Sequence, residues 1–426
     1  MALFLDYPAI ETSWQTWLSE HLPEISRKWA PPYFILDEAQ LRKNIDNMKK
    51  AFGDISIAYA MKSNPWLACA AQDVSEYITV CSKGELNLCK SWGIPGRKIA
   101  LDGVLWDREF IASALELGVA RFCVDDFLQL QLLANELKNQ DCISILLRVS
   151  SGNRFGFSLE EIKICREFVL QDGKMQIVGI QFYPGTQRCS SKSVYSDLRC
   201  LEQWLNVLKD ELHFPIEEIQ FGVGIGVPYF MEENIDEYKA LVDICSNFIK
   251  KRKLDYRIIF EAGRVISASC GVYLTKVFKV KRRDDKNILF CLGGTNHIQY
   301  PGGILGIRTP KIQVIGSQLS NENELVPTQI CGSLCSVDDI LVRNCMLDDK
   351  ISNEDWIVFF HAGAYAPSMG QTMFLGMDLP GILVRENGSD LIRCQRSSRF
   401  VYQLFEDENE VRKSECSNSR KSDYVS

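Results

Sequence analysis

The chain has 426 residues, 46% of them apolar and 24% charged, with a net charge of −7. That length allows two or three domains with sizeable cores, and the acidic balance argues against non-specific nucleic-acid binding. No apolar run approaches the roughly 20 residues that span a bilayer, and Met1-Ala2-Leu3-Phe4-Leu5-Asp6 lacks the basic start of a secretory signal, so a cytoplasmic protein is expected.

Residues 1 to 30 show an amphipathic helical pattern with Trp14, Trp17, Leu18 and Leu22 at helical spacing, which predicts a packing face. Pro31-Pro32 ends it. Tyr33-Phe34-Ile35-Leu36 reads as a short strand, and Asp37 as the N-cap of a helix running to about Phe52. From there to about residue 270 the pattern alternates. Strands are predicted at 55–60, 77–81, 98–102, 119–124, 143–149, 176–183, 217–222 and 257–261. Helical patterns lie between them, for example at 109–117, 127–138, 159–171, 193–211 and 234–252. Seven or eight such units predict an α/β fold with a closed, TIM-like (β/α)8 barrel. A doubly wound sheet is the alternative, but it usually has fewer strands, and no Gly-x-Gly-x-x-Gly turn follows the first strand.

After 270 the helical patterns largely vanish. Strand-like runs at 272–280, 287–292, 311–316, 356–361, 382–386 and 399–405 predict a β-rich second domain. Residues 406–426 are charged and polar without periodicity, and a disordered tail is expected there.

Most of the 16 cysteines, among them Cys69, Cys89, Cys123 and Cys165, lie in apolar periodic segments and read as reduced core residues. Cys331 and Cys335 lack a second Cys or His pair at zinc spacing. None of His21, His213, His297 and His361 forms a His-x-x-x-His pair, so no metal site is expected.

In a barrel of this kind the active site lies at the C-terminal ends of the strands. The first barrel strand runs into Lys62. A lysine closing a buried strand loses water, and desolvation favours the neutral amine that forms a Schiff base; the alternative is a lysine that marks where the strand meets solvent. Strand six runs into Tyr183-Pro184-Gly185-Thr186-Gln187, strand seven into Gly222-Val223-Gly224-Ile225-Gly226, and strand eight into Glu261-Ala262-Gly263-Arg264. Glycines after strands seven and eight suit a phosphate site, the alternative being a tight turn. Glu261 either pairs with Arg264 at the surface or, after the buried Ile258-Ile259-Phe260 run, faces the site. An imine-forming lysine, an anion cradle and a carboxylate are together what pyridoxal 5'-phosphate requires.

Six segments in order then resemble motifs of the fold-III pyridoxal-phosphate decarboxylases, the group containing diaminopimelate and ornithine decarboxylases, with alanine racemase as a more distant relative. They are Tyr59-Ala60-Met61-Lys62-Ser63-Asn64, Cys81-Ser82-Lys83-Gly84-Glu85, Gly222 to Gly226, Glu261-Ala262-Gly263-Arg264, Gly332-Ser333-Leu334-Cys335-Ser336-Val337-Asp338-Asp339 and Gly363-Ala364-Tyr365. The resemblance covers roughly residues 30 to 405 and implies an alanine racemase-like fold III, with 38–270 as the cofactor-binding barrel and 1–37 packing with 271–405. It also implies roles. Lys62 is the Schiff-base lysine and Glu261 pairs with the pyridine nitrogen. Gly224, Ile225, Gly226, Gly263, Arg264 and Tyr365 hold the phosphate end. Cys335 comes from the other subunit of a head-to-tail homodimer and returns a proton to the carbanion.

The chain departs from the family's pattern at four positions. Tyr183 stands where relatives usually stack a histidine on the cofactor ring; it can stack but cannot carry a positive charge. That variant is similar to decarboxylases of specialised metabolism, including ones acting on an amino acid tethered to a carrier protein. Thr79 replaces an acidic residue, and Val223 interrupts the glycine loop. Ser336 replaces the aspartate of ornithine enzymes or the glutamate of diaminopimelate enzymes, which pairs with the substrate's distal amine. A hydroxyl offers roughly half the strength of a charge-assisted bond. Arg308 and Arg154 are the candidates to meet a carboxylate or amide-linked group instead, the alternative being solvated surface charge. The expectation is a pyridoxal-phosphate-dependent amino-acid decarboxylase, a carboxy-lyase for a modified, conjugated or carrier-bound amino acid in a biosynthetic pathway. The alternatives are a diaminopimelate- or ornithine-type decarboxylase of a free amino acid, a racemase, or a non-catalytic regulatory homologue.

Overall fold

The computed structural model describes residues 6–119, 121–138, 142–214, 216–283, 286–316, 318–319, 323–386 and 392–396. The chain opens with α1 (Tyr7–Lys28), β1 (Tyr33–Asp37) and α2 (Glu38–Phe52). Asp37 caps α2 by accepting from the Gln40 N–H at 3.0 Å, and Gly53 ends it at φ +81°. The alternating region follows as β2 (Ser56–Ala60), α3 (Ala68–Val74), β3 (Tyr77–Val80), α4 (Lys83–Ser91), β4 (Ile99–Leu101), α5 (Arg108–Glu116), β5 (Arg121–Val124) and α6 (Phe127–Glu136). It continues as β6 (Ile143–Arg148), α7 (Leu159–Asp172), β7 (Met175–Phe182), α8 (Ser191–Asn206), β8 (Glu218–Phe221), α9 (Ile235–Arg252), β9 (Arg257–Ala262) and the single turn α10 (Arg264–Ser267).

Strands β2 to β9 pair in parallel in chain order, and β2 closes on β9 through Ala58 opposite Glu261. The predicted barrel is therefore present. The helical pattern at 193–211 ends as α-helix at Asn206 and continues as one π-turn over Val207–Glu211.

The second part is built from β10 (Gly271–Arg282), β11 (Asn287–Cys291), β12 (Ile312–Ile315), β13 (Leu325–Cys331), β14 (Ile340–Asp348), β15 (Trp356–Phe359), β16 (Gly381–Arg385) and β17 (Ile392–Arg396). With β1 they form one nine-stranded sheet in the order β14-β13-β11-β10-β1-β16-β17, with β15 on β10 and β12 on β15. Strand β1 sits between β10 (antiparallel) and β16 (parallel), so residues before the barrel complete the sheet after it. Helix α1 lays Ile10, Trp14, Trp17, Leu18, Leu22 and Ile25 against one face of this sheet, on Ile35, Val272, Leu274 and Val358. Strands β13 and β14 have no counterpart among the predicted runs. Pro327 and half-exposed polar positions interrupt their apolar pattern. The run predicted at 399–405 and the tail expected at 406–426 lie outside the described residues.

Among the described residues the cysteines are free thiols, and Cys89, Cys123 and Cys165 are buried while Cys69 is half-buried. No group of three His, Cys, Asp or Glu side chains there is arranged to hold a metal ion.

Candidate active site

The barrel strands deliver their first post-strand residues to one cavity of about 500 Å³, lined by Lys62, Cys81, Asp102, Tyr183, Arg264 and Tyr365 among others. Lys62 lies in the short 3-10 turn Met61–Ser63 that ends β2. Its Nζ sits 5.3 Å from the centroid of the Tyr183 ring. Burial by itself lowers the amine, but Cys81, Tyr183 and Asp102 together outweigh burial and hold it above its usual range. Burial also pushes the Cys81 thiol up, and the Tyr183 hydroxyl up to about 12. Desolvation, expected from the sequence to lower the amine, is outweighed here by Cys81, Tyr183 and Asp102, in that order.

Glu261, on β9, is buried and makes no ion pair with Arg264. Its Oε1 accepts from Gln181 Nε2 at 3.0 Å and from Gln220 Nε2 at 2.5 Å, while Oε2 accepts from no described residue. Gln181 and Gln220 stand opposite each other on β7 and β8. Burial raises the Glu261 carboxyl above its ordinary value, and the Asp102 charge raises it further. Asp102, directly after β4, accepts from Gln181 Nε2 at 3.2 Å and from the Gly103 N–H at 2.7 Å.

Arg264 is 8% exposed, and no carboxylate pairs with it among the described residues. Its Nη1 donates to the Tyr229 hydroxyl at 2.9 Å and its Nη2 to Thr186 Oγ1 at 3.3 Å, while Nε is buried without a partner. The guanidinium lies 4.4 Å from the Tyr365 ring centroid. A buried guanidinium without a counter-ion is costly unless an anion joins it. The glycine loop passes close by. Gly224 has φ +63°, and a Cβ there would run into the Gly185 carbonyl. Gly226 uses its N–H on the Arg188 carbonyl at 2.9 Å, so its backbone supports the loop; the N–H groups of Gly224 and Ile225 take no partner among the described residues. Gly263 packs against Ser63 and Ala60. Val223 is fully buried in the core.

Other predicted residues lie elsewhere. Cys335 is exposed on the loop between β13 and β14 and does not line the Lys62 cavity of its own chain. Ser336 borders a second cavity of about 600 Å³ in the β-rich part, and Met369 borders both cavities. Asp339 fixes this loop, accepting from the Leu334 N–H and the Thr295 N–H, each at 2.8 Å. Arg308 is bound to Glu232 and Glu233 at 2.5 and 3.1 Å, lies over Phe230 and does not line the Lys62 cavity of its own chain. Arg154 is exposed, with its guanidinium 4.7 Å from the ring of Phe155, which lines the cavity.

The sequence reading missed Asp102, Gln181 and Gln220, and also Arg148, which lines the cavity and pairs with Asp125 at 3.2 Å. A glutamine flanked by apolar residues in each of two consecutive strands, Gly179-Ile180-Gln181-Phe182 and Glu218-Ile219-Gln220-Phe221, was the available signal.

A parallel (β/α)8 barrel with a lysine after its first strand, a carboxylate on its last, and an unpaired arginine beside a glycine loop defines a fold-III pyridoxal-phosphate enzyme. Residues 38–268 match the family model of the pyridoxal binding domain of pyridoxal-dependent decarboxylases, and the chain belongs to that family. It is 26% identical to the diaminopimelate decarboxylase of Methanocaldococcus jannaschii, over 87% of this chain and 90% of that one. The structure of that enzyme with L-lysine superposes with a TM-score of 0.76 at 24% identity, covering 89% and 92% of the two chains. The 2-((L-alanin-3-ylcarbamoyl)methyl)-2-hydroxybutanedioate decarboxylase of Staphylococcus aureus is 25% identical, over 82% and 92%. The L-glutamyl-(BtrI acyl-carrier protein) decarboxylase of Niallia circulans is 22% identical, over 87% and 92%. The cofactor is pyridoxal phosphate, and the residues present fit it: a lysine amine, a buried arginine lacking an anion, and a carboxylate with one free oxygen.

Proposed function

We propose that the protein removes the α-carboxylate of an amino acid that is conjugated or carrier-bound at its far end. The carrying observation is that Lys62 and Arg264 line one cavity while the buried Glu261, held by Gln181, lies on the strand paired with β2, in a chain whose Cys335 is followed by Ser336. Lys62 would hold the cofactor covalently through Nζ. Glu261 would pair with the ring nitrogen through Oε2, with Gln181 and Gln220 fixing its other oxygen. Arg264, Tyr365 and the N–H groups of Gly224 and Ile225 take the phosphate, and Tyr183 stacks on the ring. Pyridoxal phosphate supplies the electron-accepting ring that takes the pair left when carbon dioxide departs. Full protonation of the ring nitrogen by a carboxylate suits loss of carbon dioxide and disfavours the racemase alternative.

Cys335 is exposed and remote from its own Lys62 cavity, which supports its delivery by a second copy in a head-to-tail homodimer, where it protonates the α-carbon. Ser336 would travel with it, so the substrate's far end meets a hydroxyl in place of a carboxylate. Two relatives that act on conjugated or carrier-bound amino acids support this substrate class. Arg154, at the cavity's edge, is the candidate to meet an anionic far end. A division into a cofactor barrel, 38–270, and a β-rich unit from 1–37 and 271–405 accompanies this reading, as do a cytoplasmic location and a biosynthetic role. Among the described residues no helix is long and apolar enough to cross a membrane. The second reading, a free dibasic amino acid as substrate, is favoured by the diaminopimelate decarboxylase relative.

The test is carbon dioxide release by the purified protein with added pyridoxal phosphate. The panel comprises free L- and D-amino acids, amino acids thioesterified to carrier proteins, and amino acids linked to citrate. Release from conjugates alone is expected. Release from a free dibasic amino acid overturns the substrate class, and release from none overturns the activity.

A further inference from the structure

The turn that carries Lys62 and the loop that carries Tyr365 come from opposite ends of the chain, yet they are bonded to each other directly. Tyr365 donates its N–H to the Ser63 carbonyl at 2.7 Å, and Asn64 donates through Nδ2 to the Gly363 carbonyl at 2.8 Å. Asn64 is 1% exposed and has no slack. Its Oδ1 accepts from the Trp66 N–H at 3.0 Å, and its carbonyl accepts from the Tyr59 hydroxyl at 2.7 Å. Ser63 is tied to the next turn of the site, where Ser267 Oγ donates to Ser63 Oγ at 3.2 Å within the helical turn that Arg264 opens.

Tyr365 has φ +63°, a left-handed conformation that is strained for a non-glycine residue. Such strain persists where the surroundings over-determine the backbone, and it serves pre-organisation. Here the two bonds from Ser63 and Asn64 bracket Ala364 and hold that conformation, with the Tyr365 ring against the guanidinium of Arg264.

We propose that Asn64 is a positioning residue for phosphate recognition: by gripping Gly363 it holds Tyr365 beside Arg264, so that the lysine turn and the phosphate-gripping loop are set as one unit. This rests on the reading of Arg264 and Tyr365 as the residues that take the cofactor's phosphate.

The experiment measures, on the apoprotein, the affinities for pyridoxal phosphate and for pyridoxal, which keeps the aldehyde and ring but lacks the phosphate. Asn64→Ala is expected to weaken pyridoxal phosphate by about tenfold, in the range found when an outer-shell partner is removed. Pyridoxal affinity stays within about twofold, so the advantage conferred by the phosphate shrinks. Asn64→Ser keeps a capping oxygen for Trp66 but is too short to reach Gly363, and should show the same selective loss if Asn64→Ala folds poorly. Equal weakening of both ligands shows that Asn64 merely shapes the lysine turn, and unchanged affinities show no role; either overturns the proposal. Arg264→Met separates the two layers. If it leaves the phosphate's advantage intact, the phosphate assignment has failed; if it shrinks that advantage while the Asn64 variants do not, the positioning role alone has failed.

Discussion

Asp102 and Glu261 are joined by a single amide nitrogen: Gln181 Nε2 donates to Asp102 Oδ2 at 3.2 Å and to Glu261 Oε1 at 3.0 Å. The Asp102 charge adds to burial in raising the Glu261 carboxyl. Removing that negative charge makes ionisation of Glu261 easier, so Asp102→Asn should lower the pH at which Glu261 releases its proton in the apoprotein. The carboxyl carbon shift of isotopically labelled glutamate, assigned by its disappearance in Glu261→Gln, reads this directly. A shift in the other direction would mean that the amide network, and not the charge, sets the carboxyl.

Lys62→Ala should abolish covalent attachment. Borohydride treatment of the loaded protein should fix cofactor to a peptide containing residue 62 in the parent and to none in the variant, and the visible absorption of the bound imine should vanish. An unchanged spectrum would remove Lys62 from its assigned role.

Tyr183 faces Lys62 with a hydroxyl pushed up to about 12, so it stays neutral through the working range. Tyr183→Phe should therefore leave the pH profile of turnover between about 6 and 9 unmoved. Tyr183→Ala, which loses the stacking face, should weaken the cofactor by roughly three- to tenfold. A displaced profile in the phenylalanine variant would assign the hydroxyl a proton-handling role.

Cys335→Ala should lower turnover by on the order of 10²-fold, as expected for loss of a positioned proton donor. Mixing Lys62→Ala with Cys335→Ala protein should restore about a quarter of parental activity, since about half of randomly reassorted dimers carry one intact site. Mixtures no more active than their components would show that the cysteine does not cross between subunits.

How much of this was legible beforehand differs by element. The eight barrel strands announced themselves because each is a short apolar run buried on both faces, and Lys62 and Glu261 stood out as charges closing such runs. Asp102 did not, because it follows a strand of three residues and reads as an ordinary turn aspartate until Gln181 is seen to reach it from three strands away. Arg308 shows the opposite case: its charge is visible in the sequence, while the glutamates that pair with it are about 75 residues distant and meet it only through the fold. The direction of the Lys62 shift was also out of reach, since it depends on which side chains, Cys81 and Tyr183 before Asp102, share the cavity.

The placement of β1 in the middle of the second sheet has a consequence for how the chain is made. Asp37 pairs with Arg385, 348 residues further on. At the usual pace of a ribosome, the stretch Tyr33–Asp37 waits roughly 20–70 seconds for its parallel neighbour, long after the barrel's strands have emerged. Nascent chains of this protein thus pass through a stage in which the barrel is complete while an apolar strand ahead of it has an open edge. Arrested translation products ending before residue 381 should be markedly more dependent on chaperones, and more easily cleaved near Pro31-Pro32, than those that reach β16.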